Sequence, residues 1–184
     1  MSVEKSTLLF IILFSSLAAL AGGNDDPYKN VPIGNFHLVS PGIFRGARPN
    51  LEGIAALQKL GIMTVLDLED DSSAVSDEYR LLAEIPLAFQ SNPFSALFAP
   101  RNEDINQALT IVADPSERPI FVHDVRGFSQ TGLVIGLYRV LKEKMPPKDA
   151  YDEMLKYGFR SDSIFLKEYF EQRTGYKVPS NGSI

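Results

Sequence analysis

Apolar positions recur along the chain in two rhythms, short β-branched runs and stripes at helical spacing, and the two alternate. Phe36–Val39 and Ile43–Arg45 read as short strands joined by the turn Ser40-Pro41-Gly42. Asn50 stands as an N-cap ahead of Leu51, Ile54, Leu57 and Gln58, and Gly61 closes that helix. Met63–Leu68 follows the glycine directly and predicts a buried strand. Glu69–Ser76 reads as an acidic loop, and Asp77–Ile85 carries Tyr79, Leu82 and Ala83 at helical spacing. Pro86–Pro100 is apolar but aperiodic, which predicts a strand followed by a loop. Asn102 is placed to cap a helix with Ile105, Leu109 and Val112 on one face, and Asp114–Pro119 is a loop. Ile120–His123 is a strand, Asp124–Gln130 a loop, and Thr131–Lys142 a long apolar helix. After Pro146-Pro147, helical segments over Lys148–Tyr157 and Ser161–Arg173 complete the order. Strands alternating with helices predict an α/β single domain with a central, mainly parallel sheet flanked by helices.

The N-terminus follows neither rhythm. Thr7–Ala21 is an uncharged run of 15 residues, short of the about 20 that span a bilayer. It reads as the core of a secretory signal, with Ala19-Leu20-Ala21 as a small-x-small cleavage site. The expected organisation is therefore a signal peptide over residues 1–21, a leader over 22–35 and one domain over 36–184. That predicts an exported protein, periplasmic or secreted, with no stable membrane span after cleavage. The alternative is a protein anchored in the membrane through residues 7–21.

Composition narrows the chemistry. The 184 residues include no Cys and two His, and the net charge is −5. Zero cysteines exclude disulfides, thiolate metal sites and a cysteine nucleophile. Two histidines leave little for a multi-histidine metal centre, so neither a metal nor a cofactor is expected. The acidic balance argues against nucleic acid as a partner.

The strand at Ile120 ends in a short loop that runs straight into a helix N-terminus. Free N–H groups of a first helical turn, reinforced by the helix dipole, make such a loop an anion cradle. Gly127 lets the backbone curl, and Thr131 is placed to cap or to donate a hydroxyl. The segment from Val122 to Gly132, VHDVRGFSQTG, resembles the signature loop H-C-x-x-G-x-x-R-[ST]-G of the cysteine-dependent dual-specificity and protein-tyrosine phosphatases. It matches at His123, Gly127, Thr131 and Gly132. Val39–Pro49, Thr64–Leu68 and Gly132–Arg139 also resemble segments of the small bacterial and plant members, phytase-like enzymes among them, and the likeness runs from about Phe36 to Phe170. It implies that Val125, Arg126, Gly127, Phe128, Ser129 and Thr131 form a phosphate-binding loop, with His123 and Gly132 structural beside it.

The two reactive residues of that pattern are replaced. Asp124 stands at the position of the nucleophilic Cys, and Gln130 at that of the phosphate-clamping Arg. An aspartate is a poor nucleophile toward a phosphate monoester without Mg²⁺, and Gln130 brings hydrogen bonds but no charge. The usual general acid is missing too, since Pro86–Arg101 contains no Asp or Glu; Glu103 and Asp104 read as helix-dipole partners. Arg126 either binds an anion or points to solvent or pairs with Asp124. Arg45 and Arg48 are read as packing the N-terminal strands, with a substrate-facing role as the alternative. Asp67, Glu69, Asp70 and Asp71 suggest a divalent metal, joined by Asp124, as one alternative, but their spacing fits no calcium loop and they read as a solvated strand-end loop.

The expectation is a phosphatase-like domain that is inactive by the cysteine mechanism and binds a weak anion, a phosphorylated small molecule or a protein partner. The alternative is a phosphoric monoester hydrolase, with inositol phosphates among its substrates, in a version whose site has been substituted. A metal-assisted hydrolase with Asp124 as nucleophile is a third, weaker reading.

Overall fold

The computed structural model describes residues 27–179. The signal-peptide assignment to residues 1–21 lies outside the described residues. The chain divides after Asn30; residues 27–30 form a turn, and all that follows concerns the unit from Val31 onward.

Five strands make one sheet: β1 (His37–Ser40), β2 (Ile43–Ala47), β3 (Thr64–Asp67), β4 (Ala88–Ser91) and β5 (Ile120–Asp124). Their order is β1-β2-β5-β3-β4, with β1 antiparallel to β2 and every other pair parallel. This is the expected α/β single domain, with β5 in the centre. Six α-helices accompany the sheet: α1 (Leu51–Lys59), α2 (Ser72–Leu82), α3 (Asn102–Ala113), α4 (Gln130–Leu141), α5 (Pro147–Lys156) and α6 (Ile164–Thr174).

Alternation along the strands divides the apolar residues between two faces. Ile43, Leu66, Ile120 and Val122 enter one core with residues of α3, α4, α5 and α6. Phe44, Val65 and Phe121 point the other way, where Phe36 stacks on Phe44 and Phe121 at 5.6 Å each. Helix α4 is buried from Gln130 to Tyr138, so it is apolar on all sides rather than striped. Gly136 lets α5 approach it: a Cβ there would lie 2.4 Å from Met154 Sδ.

Two local readings are corrected. The segment read as an acidic loop over Glu69–Ser76 is helical from Ser72, because Asp71 caps α2 by accepting from Ser73 N and Ala74 N at 3.0 and 3.2 Å. Asn102 is the first residue of α3 rather than its cap; Arg101 holds the cap position with no side-chain bond there.

Candidate functional site

β5 runs in register between β2 and β3, pairing Ala47 with Asp124 and Asp67 with His123. That register brings the C-terminal end of the central strand β5 level with the ends of β2 and β3, where the loop 125–129 begins. Gly127 turns the loop at φ +70°, and its Cα lies so close to β2 that a Cβ would fall 2.4 Å from Gly46 C and O. Its carbonyl accepts from Arg45 Nη2 at 2.7 Å and from Asn35 Nδ2 at 2.8 Å. Gly127→Ala therefore meets both left-handed strain and a backbone clash, and is expected to destabilise the domain by about 3 kcal/mol or more, measured by denaturant unfolding.

The curled loop gathers its amides around one group, the carboxylate of Asp124. Oδ1 accepts from the backbone N–H of Arg126 at 2.9 Å, Gly127 at 2.6 Å and Phe128 at 3.2 Å. Oδ2 accepts from the N–H of Thr131, in the first turn of α4, at 2.9 Å. Ser129 makes no side-chain cap to α4, so the carboxylate serves the helix start from below. Asp124 is buried, at 3% exposure. The arrangement is an oxyanion cradle holding the chain's own anion.

Arg45 lies beneath this loop, fully buried, with its guanidinium over the Tyr157 ring at 5.1 Å. Burial draws its pKa down to about 10, against the opposing pull of the Asp124 and Glu153 carboxylates and Tyr157. Its contacts are the Gly127 carbonyl and Tyr157. Arg126 is exposed, and its guanidinium sits 5.6 Å over the Phe128 ring. Gln130 turns inward: Nε2 donates to Leu68 O at 3.3 Å and Phe94 O at 3.0 Å, tying α4 to the loops after β3 and β4. The Thr131 hydroxyl is buried without a partner. Val125 is exposed, Phe128 and Ser129 are half-buried, and Gly132 packs beneath the Phe159 ring.

A second cluster lies behind β5. His123 and Asp67 face the opposite side of the sheet from Asp124, as alternation requires. His123 Nδ1 is 3.9 Å from both Asp67 Oδ1 and Glu69 Oε1, and Nε2 is 3.1 Å from Glu78 Oε1 on α2. The expectation that Asp67 and Glu69 are solvated is overturned: they are 0% and 1% exposed. Register accounts for Asp67, because pairing with β5 buries the last residue of β3 beside His123, and Glu69 lies two residues on, held by Arg48. Desolvation raises the pKa of Asp67 and Glu69. For His123 desolvation pulls downward, but the carboxylates of Glu78, Asp67 and Glu69 together outweigh it and the net shift is upward. Arg48 pairs with Glu69 through Nε and Nη2, at 2.9 and 2.8 Å. Arg48 thus has a structural partner. Asp104 pairs with Arg101 in the first turn of α3, next to Glu103.

Residues 38–172 match the family described as DSP-PTPase phosphatase fused to NAD+ kinase. The dual specificity protein phosphatase TpbA of Pseudomonas aeruginosa is 29% identical over 125 residues, covering 68% of this chain and 55% of that protein. The inositol diphosphatase DSP1 of Oryza sativa subsp. japonica is 29% identical over 118 residues, covering 61% of this chain and 52% of that protein. The chain thus spans about half the length of these relatives. Among solved structures, the catalytic core of the S. cerevisiae PP-IP phosphatase SIW14, in complex with citrate, aligns with a TM-score of 0.66 at 24% identity. It covers 79% of this chain and 91% of that one, and shows likeness of fold. The P. aeruginosa TpbA structure aligns with a TM-score of 0.65 at 26% identity, covering 80% and 87%.

Proposed function

The chain belongs to the DSP-PTPase phosphatase family, and from that premise we propose that it is a non-hydrolytic member whose phosphate cradle is closed by its own aspartate. The observation that carries this reading is the four-amide embrace of the Asp124 carboxylate. Two carboxylate oxygens take the N–H groups that a phosphoryl oxygen would need, and their negative charge repels an incoming dianion. The group at the nucleophile position is also immobilised. To attack phosphorus it would have to give up its hydrogen bonds and bring an anion against an anion. Gln130 is occupied with two carbonyls and supplies no charge.

The domain then acts by binding. The loop presents Val125 and Arg126 to solvent in front of a neutralised cradle, which suits a protein partner better than a phosphorylated small molecule. The uncharged run Thr7–Ala21 supports the proposal that this happens outside the cytoplasm. Among the described residues no helix is long and apolar enough to cross a membrane. The relatives' names, a dual specificity phosphatase and inositol diphosphatases, define the substrates to try. The test is hydrolysis of 4-nitrophenyl phosphate and of inositol hexakisphosphate, each with and without Mg²⁺. No turnover above the uncatalysed rate is expected in any arm. Metal-independent turnover of either ester would overturn the proposal. Turnover only with Mg²⁺ would overturn the proposal in favour of a metal-assisted reaction, with Asp124 as the candidate nucleophile.

A further inference from the structure

We propose that Asp67, Glu69 and His123 form the binding site for one divalent transition-metal ion, with Glu78 orienting the histidine from behind. One ligand atom from each of the three lies within 4.8 Å of the others, and all three side chains are buried. Metal–nitrogen distances of about 2.0–2.1 Å and metal–oxygen distances of about 2.0–2.2 Å set tetrahedral ligands about 3.4 Å apart. The observed 3.9 Å from Nδ1 to Asp67 Oδ1 and to Glu69 Oε1 is about half an ångström wider, and an ion would share those oxygens with the N–H of Glu69 at 2.8 Å and Arg48 Nε at 2.9 Å.

Three further observations point to a cation. First, His123 is fully buried and its Nδ1 has no hydrogen-bond partner, while Nε2 lies 3.1 Å from Glu78 Oε1. Asp67 Oδ2 and both Glu78 oxygens are likewise buried without aligned partners. Unpaired buried polar atoms are rare, and one of these, His123 Nδ1, faces the Asp67 and Glu69 carboxylates at 3.9 Å. Second, the permanent cation beside the cluster is committed to one acid. Arg48 holds Glu69 and reaches neither Asp67 nor Glu78 in a bond. Third, a carboxylate behind the imidazole, here Glu78 at Nε2, is the usual outer partner of a metal-binding histidine, leaving Nδ1 to face the ion. One imidazole and two carboxylates suit Zn²⁺ or Mn²⁺ better than Ca²⁺. The site lies on the opposite side of β5 from Asp124. Its effect would be to pin β3, β5 and α2 together, not to assist hydrolysis.

The test uses the full chain freed of metal by chelation, titrated with ZnCl₂, MnCl₂ or MgCl₂ and followed by calorimetry and thermal unfolding. Zn²⁺ or Mn²⁺ is expected to bind one per chain and to raise Tm by about 5–10 °C at a hundredfold excess over Kd. Asp67→Asn and His123→Gln should each weaken binding at least tenfold, and His37→Gln should leave it unchanged. If His123→Gln fails to fold, Asp67→Asn together with the ligand-field absorption of Co²⁺ in the unaltered chain decides the matter. Absence of binding by either ion, a stoichiometry unaffected by Asp67→Asn, or Co²⁺ without imidazole ligation would each overturn the proposal.

Discussion

Asp124→Ala is expected to lower the stability of this domain by about 3–4 kcal/mol, and phosphate or sulfate is expected to restore much of the loss. Both effects come from the same four N–H groups. In the parent chain they donate to the carboxylate at 2.6–3.2 Å. Without it they are left around a small polar hollow at the start of α4. An unsatisfied buried donor costs about 1–3 kcal/mol, and water can enter here, so the total falls below the sum. For a chain of this size the loss corresponds to a drop in Tm of roughly 10 °C. An oxyanion fits the same donors and the helix dipole, and at a hundredfold excess over its Kd it returns about 2.7 kcal/mol. Thermal unfolding of both proteins across a phosphate titration makes the comparison. The parent should not respond to phosphate, and the variant should. Equal responses would mean that the carboxylate does not hold the cradle.

The second large effect is a gain of chemistry. Asp124→Cys with Gln130→Arg is expected to hydrolyse 4-nitrophenyl phosphate, with the double variant exceeding Asp124→Cys alone by about 10³-fold or more, the scale of an arginine acting on a transferring phosphoryl group. A thiol at the head of α4, amid four amides, is set for a lowered pKa. The same geometry predicts a limit. The residues from Ser91 to Arg101 contain no carboxylate, so no general acid is offered from that loop. Nitrophenolate leaves without a proton, whereas an inositol oxygen needs one, a difference of about 10²–10⁴ in rate. The restored variant should therefore cleave the aryl ester and leave inositol hexakisphosphate nearly untouched. Steady-state rates on the two substrates check this. Comparable rates on both would locate an acid elsewhere. Moving residue 130 also frees Leu68 O and Phe94 O, so the double variant should be less stable than the parent.

Much of this could be read from the chain because local rules and the fold agree. The run Ile120–His123, the loop behind it and the apolar helix that follows are unambiguous patterns, and Gly127 takes the positive φ its place in the loop suggests. Two things could not be read. The first is register. Asp67 and Glu69 look like solvated acids in a polar stretch, and only the pairing of Asp67 with His123 across β3 and β5 buries them. The start of α2 was hidden for a related reason, since Asp71 looked like one more loop acid and is a helix cap. The second is direction. The sequence places Asp124 and Gln130 where the family pattern has Cys and Arg. It does not say that Asp124 bends into the cradle, or that Gln130 faces the carbonyls of Leu68 and Phe94. Arg45 reads as packing the N-terminal strands, but its support of the loop is not legible, because the contact with Gly127 spans 82 residues.

Amide chemical shifts followed through a phosphate titration of the unaltered chain test the central claim most directly. With Asp124 seated in the cradle, the N–H resonances of Arg126, Gly127, Phe128 and Thr131 should stay in place up to tens of millimolar phosphate. Saturable movement of those four together would contradict the account, because it would mean that an outside anion takes the place assigned to the carboxylate.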